Sequence, residues 1–263
     1  MKTHGKTRRV AALQFVGAPA AVMLMLLMIW HVIVSVLHIP KSVIPLPVDV
    51  AMVIRNEWMV LLAAMVQTSL AAITGLLCSL VLGVLIACLF AQSSLLRSSL
   101  YPYAILLQTV PVIAIAPIVI AAVGRGFPGV VLISLIISLF PVITNTTTGL
   151  LRIDKGLLEL FQLHSASRWQ TLVKLRLPNS VPYIVAGVRI AAGASVVGAI
   201  VGEFFVGASL SGLGVLIERR NNSFATDRLY AAVFASAMLG VIVFVAVSRV
   251  GDWFLKRYAE KNN

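Results

Sequence analysis

The sequence predicts an all-α integral membrane protein: a bundle of six spanning helices with a folded loop on one face. Three observations carry that prediction. Hydrophobic residues fill 60% of the 263 positions and charged residues 11%, and the mean hydropathy is +1.00, more apolar surface than a water-soluble core of this length can use. Runs of about 20 apolar residues recur along the chain, and in lipid a continuous run of that length satisfies its backbone only as a helix. The basic residues gather between those runs.

The first run, Ala18 to Leu37, follows the basic MKTHGKTRRV. Its apolar stretch is about twice that of a secretory signal, and no small-x-small cleavage site follows, so it reads as an anchored helix. The second, Leu61 to Phe90, has about 30 residues, roughly 45 Å as a helix, so it tilts or protrudes. Tyr101 to Val123 is the third, in which Pro111 and Pro117 break backbone hydrogen bonds, as a helix tolerates where it faces protein or water. Val130 to Thr148, Val181 to Gly207 and Leu229 to Ser248 complete the six. Residues 1–59 are then a tail, the first span and an external segment; residues 60–263 are a core of five spans carrying a loop at 150–180.

A net charge of +12 invites a nucleic-acid reading, but the placement of the 21 basic residues decides against it. With the N-terminus inside, Lys2, Lys6, Arg8, Arg9, Arg97, Arg152, Lys155, Arg168, Lys174, Arg176, Arg249, Lys256, Arg257 and Lys261 face the cytoplasm. Lys41, Arg55, Arg125, Arg219, Arg220 and Arg228 face outward, and Arg189 lies within a span. Fourteen against six places both termini in the cytoplasm, and the surplus charge serves topology and contact with anionic lipid.

Cys78 and Cys88 lie about 15 Å apart along one helix, too far for a disulfide. The four histidines show no ligand spacing, so no metal site is expected. A self-sufficient secondary transporter needs several intramembrane acids or an internal repeat, and an intramembrane enzyme needs converging nucleophile, base and oxyanion groups; neither pattern stands out.

The loop between the fourth and fifth runs holds ELFQLHSASRWQTLVKLRLP, residues Glu159 to Pro178. Asp154 caps a helix from Lys155 to about His164, and Ser167 with Gln170 forms a capping box that starts a second helix at Arg168. Pro178 disfavours helix at Leu177 and ends it. Two readings fit: an interfacial pair of helices lying on lipid, or a protein-docking knob, since exposed Trp, Phe and Arg together anchor interfaces.

Here the sequence resembles the permease subunits of bacterial ATP-binding cassette importers. Glu159, Ser165, and Leu177-Pro178 keep the spacing of that family's EAA loop, with ASRWQT at Ala166 to Thr171 close to its usual text. LQTVPVIAIAPI from Leu106, FPVITNT from Phe140, VGEFF from Val201 and SGLGVLI from Ser211 extend the likeness. The family's two alanines are Leu160 and Phe161 here, and its bend glycine, suited to positive φ, is Ser165.

The resemblance implies a six-helix type I importer permease in the bacterial inner membrane, not itself an enzyme, with the loop as a cytoplasmic coupling helix for a separate ATPase. Leu158, Phe161 and Trp169 would fill the ATPase groove; Glu159 and Arg168 would orient it, and Ser165, Ala166, Ser167 and Pro178 would shape the elbow. Two ATPase copies, a second permease copy and an extracytoplasmic solute-binding protein are the implied partners. ATP and magnesium would reside in the ATPase, since no phosphate-binding loop occurs in this chain. The text looks most like the nitrate, sulfonate, taurine and bicarbonate branch, whose relatives also carry riboflavin and thiamine pyrimidine precursors.

For the translocation path, Gln108, Thr109, Pro111, Asn145 and Ser195 are candidate lining residues. Arg189 and Glu203 stand roughly 21 Å apart along one helix, so they cannot pair with each other. Arg189 either snorkels to headgroups or attracts an anion at an inner gate; Glu203 makes either a structural hydrogen bond or a gating or dimer contact. Gly187, Ala191, Ala194, Gly198 and Gly202 form a small-residue stripe, with Gly198 and Gly202 its tightest pair, serving either fixed packing or a sliding contact. The connection from Ala208 to Arg228 is either a short helix on which a binding protein lands or an ordinary surface loop.

Overall fold

The computed structural model describes the backbone of residues 4–207 and 211–262, and the side chains of residue 17, 21–207 and 211–260. The N-terminal basic cluster that contributes to the orientation count, and Ala208 at the head of the fifth-to-sixth connection, lie outside the described side chains. The elements are α1 (His4–Val36), α2 (Pro47–Asn56), α3 (Trp58–Gln92), α4 (Ser94–Thr109), α5 (Val112–Val123), α6 (Phe127–Leu151), α7 (Lys155–Leu163), α8 (Arg168–Thr171), a π-turn (Leu172–Arg176), α9 (Leu177–Val206), α10 (Leu213–Asn222) and α11 (Thr226–Asn262).

Among the described residues four runs are long and apolar enough to cross a membrane: α3, α6, the continuous stretch Arg168–Val206, and α11. The run read as the third span is two helices, α4 and α5, meeting at 103°. Val110, which precedes Pro111, is pushed to extended backbone at φ −70°, ψ 124°, so α4 stops there and Pro111 caps α5. Pro117 is carried inside α5 without a break. Of the first expected span, the described apolar part is Ala21–Val36.

The chain divides into two compact units. The first joins Met1–Trp58 with Arg219–Ala232. Within it Glu57 bridges Arg220 and Arg228, the latter at 3.1 Å, and Lys41 pairs with Asp49 at 3.0 Å. Burial pulls the Arg220 guanidinium below its ordinary value, and the Glu57 carboxylate opposes that pull. Trp30 stacks on Tyr230 at 5.9 Å, and the Thr226 hydroxyl donates to the Ser42 carbonyl.

The second unit, Met59–Glu218 with Val233–Asn263, is built around α6. Small residues let α3 and α9 approach it. A Cβ on Gly75 would strike Ser134, one on Gly83 would lie 2.7 Å from Val142, and one on Gly198 would lie 2.8 Å from the Ser134 Cα. Gly202 repeats the approach against Val130 and Gly187 against Asn145. The stripe on α9 therefore packs on α6, as close backbone contact between membrane helices requires. Apolar clusters close the gaps: Phe90, Ala104, Leu139 and Ile143 join α3, α4 and α6, while Ala116, Val119, Ile133 and Val206 join α5, α6 and α9.

Candidate functional site

The elbow forms from its caps outward. Asp154 accepts hydrogen bonds from the Gly156 and Leu157 amides at 2.8 and 3.2 Å, starting α7. At its other end the Ala166 amide donates to the Phe161 carbonyl and the Ser165 amide to the Gln162 carbonyl, the paired bonds of a Schellman stop. That stop needs a left-handed residue, and Ser165 supplies it at φ 54°. The sharp bend expected of a glycine is thus present with a serine. Ser167 and Gln170 then exchange the two bonds of a capping box, at 3.2 and 2.8 Å, and α8 begins.

Beyond α8 the helix does not end at Leu177-Pro178, contrary to the sequence expectation. It passes through the π-turn, where the Leu177 amide reaches back to the Leu172 carbonyl, and continues as α9. Widening the hydrogen-bond register by one residue makes room for the ring of Pro178 at the start of the next helix, where its missing N–H is tolerated. Leu172 is buried with Ala87 and Leu150, so the turn is packed against α3 and α6.

The apolar faces of α7 are also redistributed. Leu158 and Phe161 are half-buried, whereas Leu157, Leu160 and Leu163 face outward, Leu163 at 83% exposure. Trp169 is 68% exposed beside Arg168, and Glu159 is exposed as well. Three leucines and a tryptophan thus surround a bend fixed by its own backbone. The Arg168 carbonyl lies 3.5 Å from the Gln92 amide nitrogen, and Arg176 donates to the Ala91 carbonyl at 3.0 Å, tying the elbow to the end of α3.

Arg189 has a partner the sequence reading missed. Its Nη2 lies 2.6 Å from Asp252 of α11. Asp252 sits beyond the run assigned to the last span, but α11 continues through it to Asn262, which brings it level with Arg189.

Glu203 is 1% exposed. Its Oε2 accepts from the Thr68 hydroxyl and the Gly214 amide, each at 2.9 Å, and the Leu213 amide donates to the same Thr68 oxygen. Gly212 and Gly214 lie so close that a Cβ on either would collide with Glu203. The carboxylate therefore sits on the N-terminus of α10, where the helix dipole favours negative charge. Gly-Leu-Gly is the recess for that side chain. Thr68 was not singled out from sequence; Leu213 and Gly214 stood in the SGLGVLI stretch, but nothing in the sequence tied them to Glu203.

The remaining path candidates separate. Gln108, Thr109 and Pro111 are exposed at the α4–α5 corner. Asn145 donates to the Pro141 carbonyl and packs on Gly187. Ser195 is fully buried; its carbonyl accepts from Ser134 and its hydroxyl donates to Ala192. It holds α6 to α9.

Residues 79–260 match the family model described as binding-protein-dependent transport system inner membrane component. The chain belongs to this family. Its members are the non-catalytic permease subunits of ATP-binding cassette importers, so this permease is a multi-pass inner-membrane protein. It is 31% identical to the formylaminopyrimidine transport permease ThiX of Halalkalibacterium halodurans, covering 90% of this chain and 94% of that one. It is 29% identical to the riboflavin transport system permease RibX of Chloroflexus aurantiacus, over 87% of this chain and 85% of that one. Among solved structures, the permease fold resembles a chain of the inward-facing MetNI methionine transporter, with TM-score 0.65 and 16% identity over 75% of this chain and 97% of that chain.

Proposed function

We propose that this permease supplies the membrane path of an importer whose separate ATPase subunit grips the elbow of α7 and α8. The observation that carries the reading is the outward array of Leu157, Leu160, Leu163 and Trp169 around a bend locked at Ser165. A rigid apolar handle flanked by Glu159 and Arg168 suits a groove better than it suits lipid, because its charges stand on the same exposed surface. Two ATPases acting on two permease copies would hold ATP and magnesium. The basic-residue count supports cytoplasmic N- and C-termini. A solute-binding protein would deliver substrate at the opposite end, where α10 lies.

The cargo is a small anion or a small organic solute. The names of the pyrimidine and riboflavin relatives favour a heterocyclic vitamin precursor over nitrate, sulfonate, taurine or bicarbonate.

Co-expression with the neighbouring ATPase tests the elbow. Trp169→Asp and Glu159→Arg should insert normally and lose the co-purifying ATPase; unchanged recovery overturns the reading. Stimulation of ATP hydrolysis by the receptor loaded in turn with formylaminopyrimidine, riboflavin, nitrate or taurine then assigns the cargo.

A further inference from the structure

The turn between α10 and α11 closes with the paired bonds of a Schellman stop: the Phe224 amide donates to the Asn221 carbonyl and the Ala225 amide to the Arg220 carbonyl, each at 3.1 Å. Phe224 is the left-handed residue of that stop, at φ 54°, and it is 88% exposed. We infer that this phenylalanine is the anchor on which the extracytoplasmic solute-binding protein docks. The inference rests on the importer reading and adds to it the surface that the receptor meets.

Backbone cost is the first argument. At positive φ a Cβ crowds a carbonyl oxygen, so such stops usually carry glycine or asparagine. Among the described residues the non-glycine residues at positive φ are His38, Ser165 and Phe224. Ser165 is small, and His38 has a local partner, with Nδ1 3.0 Å from the Val36 carbonyl. Phe224 is bulky and has no polar atom to compensate. Packing does not compensate either, because the ring faces outward and the apolar contact that accompanies such a stop falls to the next residue, Ala225. Strain that a chain does not recover within itself points to a contact outside it.

Shape is the second. Ser42, Phe224 and Thr226 line two clefts, of about 530 and 310 Å³, and the Thr226 hydroxyl bonded to the Ser42 carbonyl closes the wall they share. All three residues belong to one compact unit. The ring therefore crowns a ridge between two hollows, a relief that an opposing protein surface can fill around a central aromatic.

Charge is the third, and it separates a protein from a lipid surface. The larger cleft carries Asp49, Glu57 and Asp227 against Lys41 and Arg228. Asp49 and Glu57 are spent on Lys41, Arg220 and Arg228, whereas Asp227 takes part in none of the ion pairs among the described residues. Anionic headgroups would meet three carboxylates here. An apolar socket with a lysine or arginine opposite Asp227 matches both the ring and the acid. The basic-residue count puts this turn on the external side, from which a receptor approaches.

The full-length permease in lipid nanodiscs is titrated with the neighbouring solute-binding protein, reading the dissociation constant, and the thermal unfolding midpoint of each variant is taken alongside. Phe224→Gly should fold at least as well as the parent, because glycine accepts the left-handed backbone, and should bind the receptor about tenfold more weakly. Phe224→Tyr keeps the ring and should bind as the parent does. Asp227→Asn should flatten the salt dependence of binding. Equal affinity of the parent and Phe224→Gly overturns the docking site and leaves the importer reading standing. Equal affinity with a midpoint lowered in nanodiscs but not in detergent assigns the ring to the lipid surface and overturns the site as well. A parent that binds no receptor overturns the site together with the receptor's place in the importer. These titrations contain no ATPase, so their failure is separate from failure of the elbow reading.

Discussion

The Glu203 carboxylate occupies the volume that a side chain on Gly212 would need. One residue ends a span and the other opens a short helix, and the contact between them fixes how the chain turns back. The collision predicts that Gly212→Ala displaces the carboxylate and lowers stability by about 1–3 kcal/mol. Gly240→Ala in α11, where a Cβ meets nothing, should be neutral or gain up to about 1 kcal/mol. Unfolding midpoints of the two variants in one detergent make the comparison.

Thr68 serves two clients with one oxygen, donating to Glu203 and accepting from Leu213. Thr68→Val should leave the Leu213 amide unpaired and Glu203 Oε2 with the Gly214 amide alone, and cost about 1–3 kcal/mol, whereas Thr68→Ser should retain most of the parent stability. Full stability of Thr68→Val, with the loss confined to Thr68→Ser, which lacks the γ-methyl, would assign the effect to packing instead.

Ser165 holds a left-handed conformation that glycine adopts at lower cost. Ser165→Gly should therefore stabilise the elbow by about 1 kcal/mol, and Ser165→Val should loosen it. Hydrogen exchange at the Ser165 and Ala166 amides, which close the stop, reports the change directly.

Arg189 and Asp252 meet at 2.6 Å, but their side chains are 30% and 61% exposed. Solvent screening limits such a pair to at most about 1 kcal/mol. Asp252→Asn should accordingly move the unfolding midpoint only slightly in detergent.

Much of the fold was legible because its causes are local. Apolar run length announced α3, α6, α9 and α11, and side-chain chemistry announced the caps at Asp154 and Ser167. The small-residue stripe announced a close helix contact but not its partner, because α6 meets it through Ser134 and Val130, which look ordinary in sequence. Pro111 and Pro178 show why proline alone is ambiguous. The first follows a valine forced to extended backbone and breaks the span; the second is absorbed by a wider turn upstream. The partners of Arg189 and Glu203 escaped the reading because each comes from a different stretch of chain, and no periodicity within one helix points to them.

The unbroken run from Arg168 to Val206 has a mechanical corollary. Its 39 residues make a shaft of about 58 Å, nearly twice the hydrocarbon thickness of a bilayer. Trp169 stands near one tip and Glu203 near the other, so under the proposed docking a push at the tryptophan would travel along one continuous helix toward the segment clasped at the far tip.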